Sequence, residues 1–119
     1  MIDKKIFEPL FKRKYSKTYN CFTCAVEVLE LLDVHIGYPN YEFEYPITSF
    51  RLINKIKNRD FVKLETPEDA CFVLTFRAGG MYHLGIYIGN NEYISCDETR
   101  NVHISDISNE AIEGFYKLK

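Results

Sequence analysis

The stretch His83-Leu84-Gly85-Ile86-Tyr87-Ile88-Gly89-Asn90-Asn91-Glu92-Tyr93-Ile94-Ser95-Cys96 is two apolar, β-branched and aromatic runs joined by Gly-Asn-Asn. Side chains of that kind fit a pleated, half-buried surface, and the junction supplies residues that tolerate the positive φ of a tight turn. An antiparallel hairpin is therefore predicted. Strand-like runs continue outward from it: Phe61 to Leu64, Cys71 to Phe76, Tyr82 to Ile88, Glu92 to Cys96, Asn101 to Ile104 and a closing Phe115 to Leu118. Pro67, Gly79-Gly80 and Asp97 to Arg100 separate them, and connections so short suit an antiparallel meander. Ser105 or Ser108 is placed to start a short helix reaching about Ile112.

Upstream the periodicity is helical. Asn20 is a good N-cap, and Phe22, Ala25, Val26, Leu29 and Leu32 then recur on one face, with Glu27 and Glu30 opposite and Gly37 and Pro39 beyond the end. Residues 2 to 20, broken by Pro9, read as a short helical turn followed by a loop, with 1–14 a peripheral segment. Tyr38, Tyr41, Phe43 and Tyr45 between Pro39 and Pro46 suggest an extended aromatic loop, and Thr48 or Ser49 can cap a second helix through Phe50, Ile53 and Ile56. Helices first and strands afterwards is α+β order: a helix packed on an antiparallel sheet of about five strands, in one domain spanning 1–119.

The 119 residues make one hydrophobic core, and a net charge of -2 gives no field that would draw a polyanion. Nucleic acid is not an expected partner; Lys12-Arg13-Lys14 and the basic residues from Arg51 to Arg59 read as solvated faces. No run approaches the ~20 apolar residues that span a bilayer, and no apolar segment follows Lys4-Lys5, so the chain is expected to be cytoplasmic as synthesised. A target outside the cell would then be reached by another route, such as a virion or a secretion system. Of the four cysteines, Cys71 and Cys96 sit in apolar strands and read as buried small hydrophobes.

Cys21 opens the first helix and His83 opens a rigid strand, which is the pairing that thiol nucleophilic catalysis needs. The N–H groups and dipole of a first helical turn favour thiolate, and an imidazole can serve as base and then acid. Two other chemistries share these residues. Cys21-Phe22-Thr23-Cys24 is a CxxC at a helix start, but a thioredoxin-like fold wants an apolar strand before it, and Lys12 to Thr18 is polar. Cys21, Cys24, His83 and His103 are zinc-type ligands, yet they lack a second closely spaced pair, so no metal or other cofactor is expected. His35 reads as a partner of the first helix's C-terminal dipole.

Three motifs together resemble the NlpC-type family of papain-like cysteine hydrolases: Tyr19-Asn20-Cys21 at the helix start, Pro67-Glu68-Asp69-Ala70-Cys71-Phe72-Val73 leading into a strand, and His83-Leu84-Gly85-Ile86-Tyr87-Ile88-Gly89-Asn90. Asn101-Val102-His103-Ile104 and Gly114-Phe115-Tyr116-Lys117-Leu118 fit the family's ending, so the likeness covers about residues 15 to 118. The resemblance implies a papain-like fold with Cys21 as nucleophile and His83 as base, acting on amide bonds of peptides such as peptidoglycan stem peptides. It places Ser95 at the position that orients the histidine, with Glu98, Asp97 and His103 in reserve, and Tyr19 and Asn20 beside the substrate or oxyanion. A hairpin turning through Ile88-Gly89-Asn90 sets His83 opposite Ser95; a two-residue turn at Asn90-Asn91 sets it opposite Glu98. Ser95 stands where the family has His, Asn or Gln, which opens a second expectation: a weakened member serving as a phage-tail or other assembly or binding protein. Acyl transfer or deamidation by the same pair is a third.

Overall fold

A computed structural model describes residues 2–16, 18–34, 61–77 and 81–118, without the side chains of Met81 and Leu118. The aromatic loop, the second helix, His35 and the Gly79-Gly80 turn lie outside the described residues.

The N-terminal stretch is a 3-10 helix, Lys4–Lys12, capped by Asp3, whose carboxylate accepts from the Lys5 N–H at 3.0 Å. It is not peripheral. Phe7 is 0% exposed and Leu10 is also buried, both within the main core, because Phe7 and Leu10 fall on one side of a three-residue turn.

The first α-helix, α1 (Cys21–Leu31), begins where Asn20 predicts. Asn20 Oδ1 accepts from the N–H groups of Phe22 at 3.0 Å and Thr23 at 3.1 Å, and Asn20 N–H donates to Thr23 Oγ1 at 2.7 Å. That reciprocal box satisfies orphan donors at both positions. At the other end Asp33 adopts φ 60°, Val34 N–H reaches the Leu29 carbonyl at 2.8 Å and Asp33 N–H reaches that of Glu30 at 3.0 Å. This six-to-one and five-to-two pairing stops the helix ahead of Gly37. The buried face is Phe22, Cys24, Ala25, Val28 and Leu29, while Val26 and Leu32 are only partly covered, so the apolar stripe is rotated toward Cys24 and Val28 relative to the expected one.

Six strands follow: β1 (Phe61–Leu64), β2 (Phe72–Arg77), β3 (Met81–Gly89), β4 (Glu92–Asp97), β5 (Asn101–Asp106) and β6 (Ile112–Leu118). They form one sheet in the order β1-β6-β2-β3-β4-β5, with every neighbouring pair antiparallel. The meander runs from β2 to β5, and β6 returns to lie between β1 and β2. The connection after β5 is shorter than a helix: a 3-10 turn, Ile107–Asn109, capped by Asp106.

Alternation divides the sheet into two faces. Phe72, Leu74, Leu84, Ile86, Ile88, Ile94, Cys96 and Val102 join α1 and the N-terminal 3-10 helix in the main core. Cys71, Val73, Tyr87 and Tyr93 form a second cluster on the opposite face, packed by Leu64, Ile107, Ile112 and Phe115. All four cysteines are free thiols, and Cys71 and Cys96 are buried as small hydrophobes. Among the described residues no helix is long and apolar enough to cross a membrane.

Candidate functional site

The hairpin between β3 and β4 decides where the candidate residues meet. Asn90 and Asn91 both take positive φ, 53° and 60°, and Gly89 pairs with Glu92, which is the two-residue turn. A bulge then follows: the next pairs are Tyr87 with Tyr93 and Ile86 with Ile94, so Ile88 is the extra residue. The shift of one residue defeats both expected registers. Continued along the strands, it aligns His83 with Asp97, neither with Ser95 nor with Glu98.

The paired part of β3 and β4 ends at Ile86 and Ile94. Tyr87 N–H donates to the Cys71 carbonyl at 2.9 Å, so odd residues of β3 bond β2 and even residues turn their N–H groups toward β4. Leu84 is even, and its N–H points at the sulfur of Cys21 instead of a strand partner. The first turn of α1 therefore sits at the opening where β3 and β4 part, and the thiol meets the backbone one residue beyond His83.

Burial governs the protonation of both groups. It pushes the Cys21 thiol above its ordinary range, against the N–H groups of Leu84, Cys21 and Phe22 and the charge of Arg77, all of which favour thiolate. It also drives His83 down to about 3, helped by the Arg77 guanidinium and opposed by Asp97. Desolvation thus works against the thiolate expected at the helix start, although Cys21 is only partly covered, and it favours a thiol beside a neutral imidazole. His83 is 6% exposed and its Nε2 has no hydrogen-bond partner among the described residues.

By alternation His83 leaves β3 on the face of Tyr87, away from α1, in the company of Arg77, Ser95, Asp97 and His103. Ser95 does not orient it. Ser95 pairs with His103 across β4 and β5, and Ser95 Oγ lies 3.5 Å from His103 Nε2. His103 Nδ1 is 2.8 Å from the Asn101 carbonyl, which fixes the proton on that nitrogen, and Nε2 stands 3.7 Å from Asp97 Oδ2. Asp97 is itself clamped: Oδ1 accepts from Thr99 N–H, Thr99 Oγ1 and Arg100 N–H, and Oδ2 accepts from Arg100 Nε and Nη2 at 3.2 and 3.0 Å. Burial raises the carboxyl, but the Arg100 N–H, the Thr99 hydroxyl and the Arg100 side chain hold it at about 2. Glu98 is exposed at the tip of this turn.

The remaining candidates take structural places. Asn20 is 3% exposed and its amide oxygen is occupied by two helix N–H groups, so its side chain serves as the cap of α1. Tyr19 turns its hydroxyl toward Cys24 and Glu27, one to two turns along α1, and Arg13 stacks 5.2 Å above its ring. It does not face the Cys21 thiol, because a short loop entering a capping box lays the preceding residue along the helix flank. Residues 13–16 and 18–20 contain no strand ahead of the CxxC, and among the described residues no group of three or more His, Cys, Asp or Glu side chains is arranged to hold a metal ion.

Sequence reasoning missed Arg77, whose charge acts on both Cys21 and His83. Its position follows from the pairing of Thr75 with His83, which the length of the intervening loop leaves open in the sequence. A scan of the chain against protein-family models and a search of curated proteins both return no match.

Proposed function

We propose that the chain is an NlpC-type, papain-like cysteine hydrolase that cleaves amide bonds, with peptidoglycan stem peptides as the substrate class. The observation that carries this reading is the contact of the Cys21 thiol with the backbone next to His83 at the β3–β4 opening, through which the imidazole, carried on the opposite sheet face, has to reach the sulfur. The thiol of a helix-initial cysteine receives the N–H of Leu84, and the preceding residue is a buried histidine with an unengaged Nε2. Because both groups rest uncharged, His83 acts as a general base in step with attack. Nε2 takes the Sγ proton as sulfur adds to the carbonyl, and the imidazolium returns it to the leaving amine. A thioester on Cys21 remains, and water activated by the same nitrogen cleaves it. The backbone N–H of Cys21, which the Asn20 cap does not occupy, is the donor for the tetrahedral oxygen.

The test is turnover of wall-peptide fragments and acyl esters, with mass spectrometry of any acyl adduct. An adduct on Cys21, with turnover lost in Cys21→Ala and His83→Ala, is the expected result. Inertness of the wild-type protein on both substrate classes overturns it.

A second reading has its own support: Ser95, at the orienting position, is committed to His103 and not to the His83 ring. An imidazole without an orienter fits a binding or assembly protein that keeps the fold, and the same inertness favours that reading.

A further inference from the structure

Cys24 has no part in the chemistry of Cys21 and His83, yet it stands one turn along α1 from Cys21. Residues three apart on an α-helix share a side, with Cα atoms about 5 Å apart, inside the roughly 4.4–6.8 Å over which two cysteines can be bridged. Both side chains turn toward the sheet. Cys24 is 0% exposed within the main core, and Cys21 packs against the same cluster while part of its surface stays open. Cys96 of β4, also 0% exposed, belongs to that cluster but comes from another layer. Packed layers stand roughly 8–10 Å apart, and a bridge needs Cα atoms within about 7 Å. Burial first, and then neighbouring sulfurs, push the Cys24 and Cys96 thiols up, as befits one cluster. The first turn of α1 can also adjust. Its opening N–H groups have no intrahelical acceptor, so drawing the two sulfurs together disturbs no helix hydrogen bond before that of Cys24 N–H to the Asn20 carbonyl at 3.0 Å.

We propose that Cys21 and Cys24 are a modification site, a dithiol that a low-molecular-weight disulfide converts into a reversible intrahelical disulfide. Cys21 is the entry point, because it is the one cysteine of the four that is not buried. Its sulfur attacks the small disulfide RSSR, forming Cys21–S–S–R, and the departing RS⁻ takes the Cys21 proton. Cys24 Sγ then attacks the Cys21 sulfur, the bond to SR breaks, and the second RS⁻ takes the Cys24 proton. The protein loses two thiols to one disulfide, and RSSR is reduced to two RSH. The second step is intramolecular, which offsets the small thiolate fraction of buried Cys24. The bond stands apart from the hydrolase reading; its role as an off switch for turnover rests on Cys21 being the nucleophile.

The test follows the bond, so it does not depend on turnover. Folded protein is equilibrated at about pH 8.5, near the ordinary thiol pKa, in buffers of graded reduced-to-oxidised glutathione ratio. It is then quenched with acid, blocked with N-ethylmaleimide in denaturant and digested with trypsin. Cys21 and Cys24 share the peptide 18–51, whereas Cys71 and Cys96 fall in 64–77 and 78–100. The expected product is an 18–51 peptide lighter by two hydrogens and unblocked at both cysteines, which grows with oxidised glutathione and is reversed by dithiothreitol while Cys71 and Cys96 stay reduced. Cys24→Ala, checked for folding by its amide spectrum, stops at the glutathione adduct on Cys21, and Cys21→Ala keeps Cys24 reduced. A wild-type protein without the 18–51 disulfide at any ratio overturns the proposal, whether it stays reduced or stops at the adduct. So does a link between 18–51 and 78–100, or oxidation of Cys71 in step, which reports unfolding. Turnover of wall peptides that persists in the oxidised form overturns the switch. A disulfide formed in a protein inert in both redox states would sink the hydrolase reading and leave the modification site.

Discussion

The hydroxyl of Ser95 lies 3.5 Å from Nε2 of His103, so the serine at the expected orienting position serves a different imidazole from His83. Ser95→Ala therefore removes a bond from β5 and none from the candidate base. A stability loss of about 0.5–1.5 kcal/mol in urea unfolding is expected. In histidine titrations by NMR the His103 resonance shifts its midpoint and the His83 resonance does not. A changed His83 midpoint would mean that the serine reaches the base after all.

Cys21 alkylation should be slow at neutral pH and still rising at pH 9, because burial holds the thiol above its ordinary range. Arg77→Gln should slow it further, since the guanidinium is one of the groups that favour thiolate. Iodoacetamide rates mapped to each cysteine provide the measurement. A rate that levels off below pH 7 would show an activated thiolate and contradict the burial argument.

Acid should destabilise the fold through His83. Its folded value, about 3, is below the ordinary 6.5, so between those values the unfolded chain binds a proton that the folded chain does not. The stability that neutral His83 allows is complete above pH 6.5 and is lost as pH falls toward 3. The urea midpoint is expected to drop across this window and to drop less in His83→Gln. Equal slopes in the two proteins would place the acid sensitivity elsewhere.

Asn20→Ala should cost about 1 kcal/mol, within the range of roughly 0.5–2 for a lost N-cap. Asn20→Asp keeps the acceptor and adds a charge that the helix N-terminus favours, so its thermal midpoint should match or exceed that of the wild type. An Asp variant as unstable as the Ala variant would show that the amide group of Asn20, more than its oxygen, holds the turn.

Much of this architecture could be read from local sequence because local physics decides it. Asn20 caps α1 as its side chain allows, the strand runs of alternating or continuous apolar residues become strands, and Asn90-Asn91 makes the tight turn. Registers were harder, since a single bulged residue, Ile88, moves His83 from Glu98 to Asp97 without leaving a mark in the composition. Burial was hidden for the same reason. A helix-initial cysteine looks activated until the packing of α1 against β3 partly covers it, and Phe7 looks peripheral until the sheet it covers exists.

The return of β6 between β1 and β2 also has a temporal side. Phe61 pairs with Leu118, so β1 has no strand partner, and β2 lacks one on its β6 edge, until β6 has docked. The β2–β5 meander that carries the candidate site can zip up first through short loops, but until β6 docks it presents an open edge of unpaired amides along β2. A chain in which β6 has come away would keep the β2–β5 meander with its edge unsealed, and that partly opened species is the one most exposed to strand exchange with a neighbour.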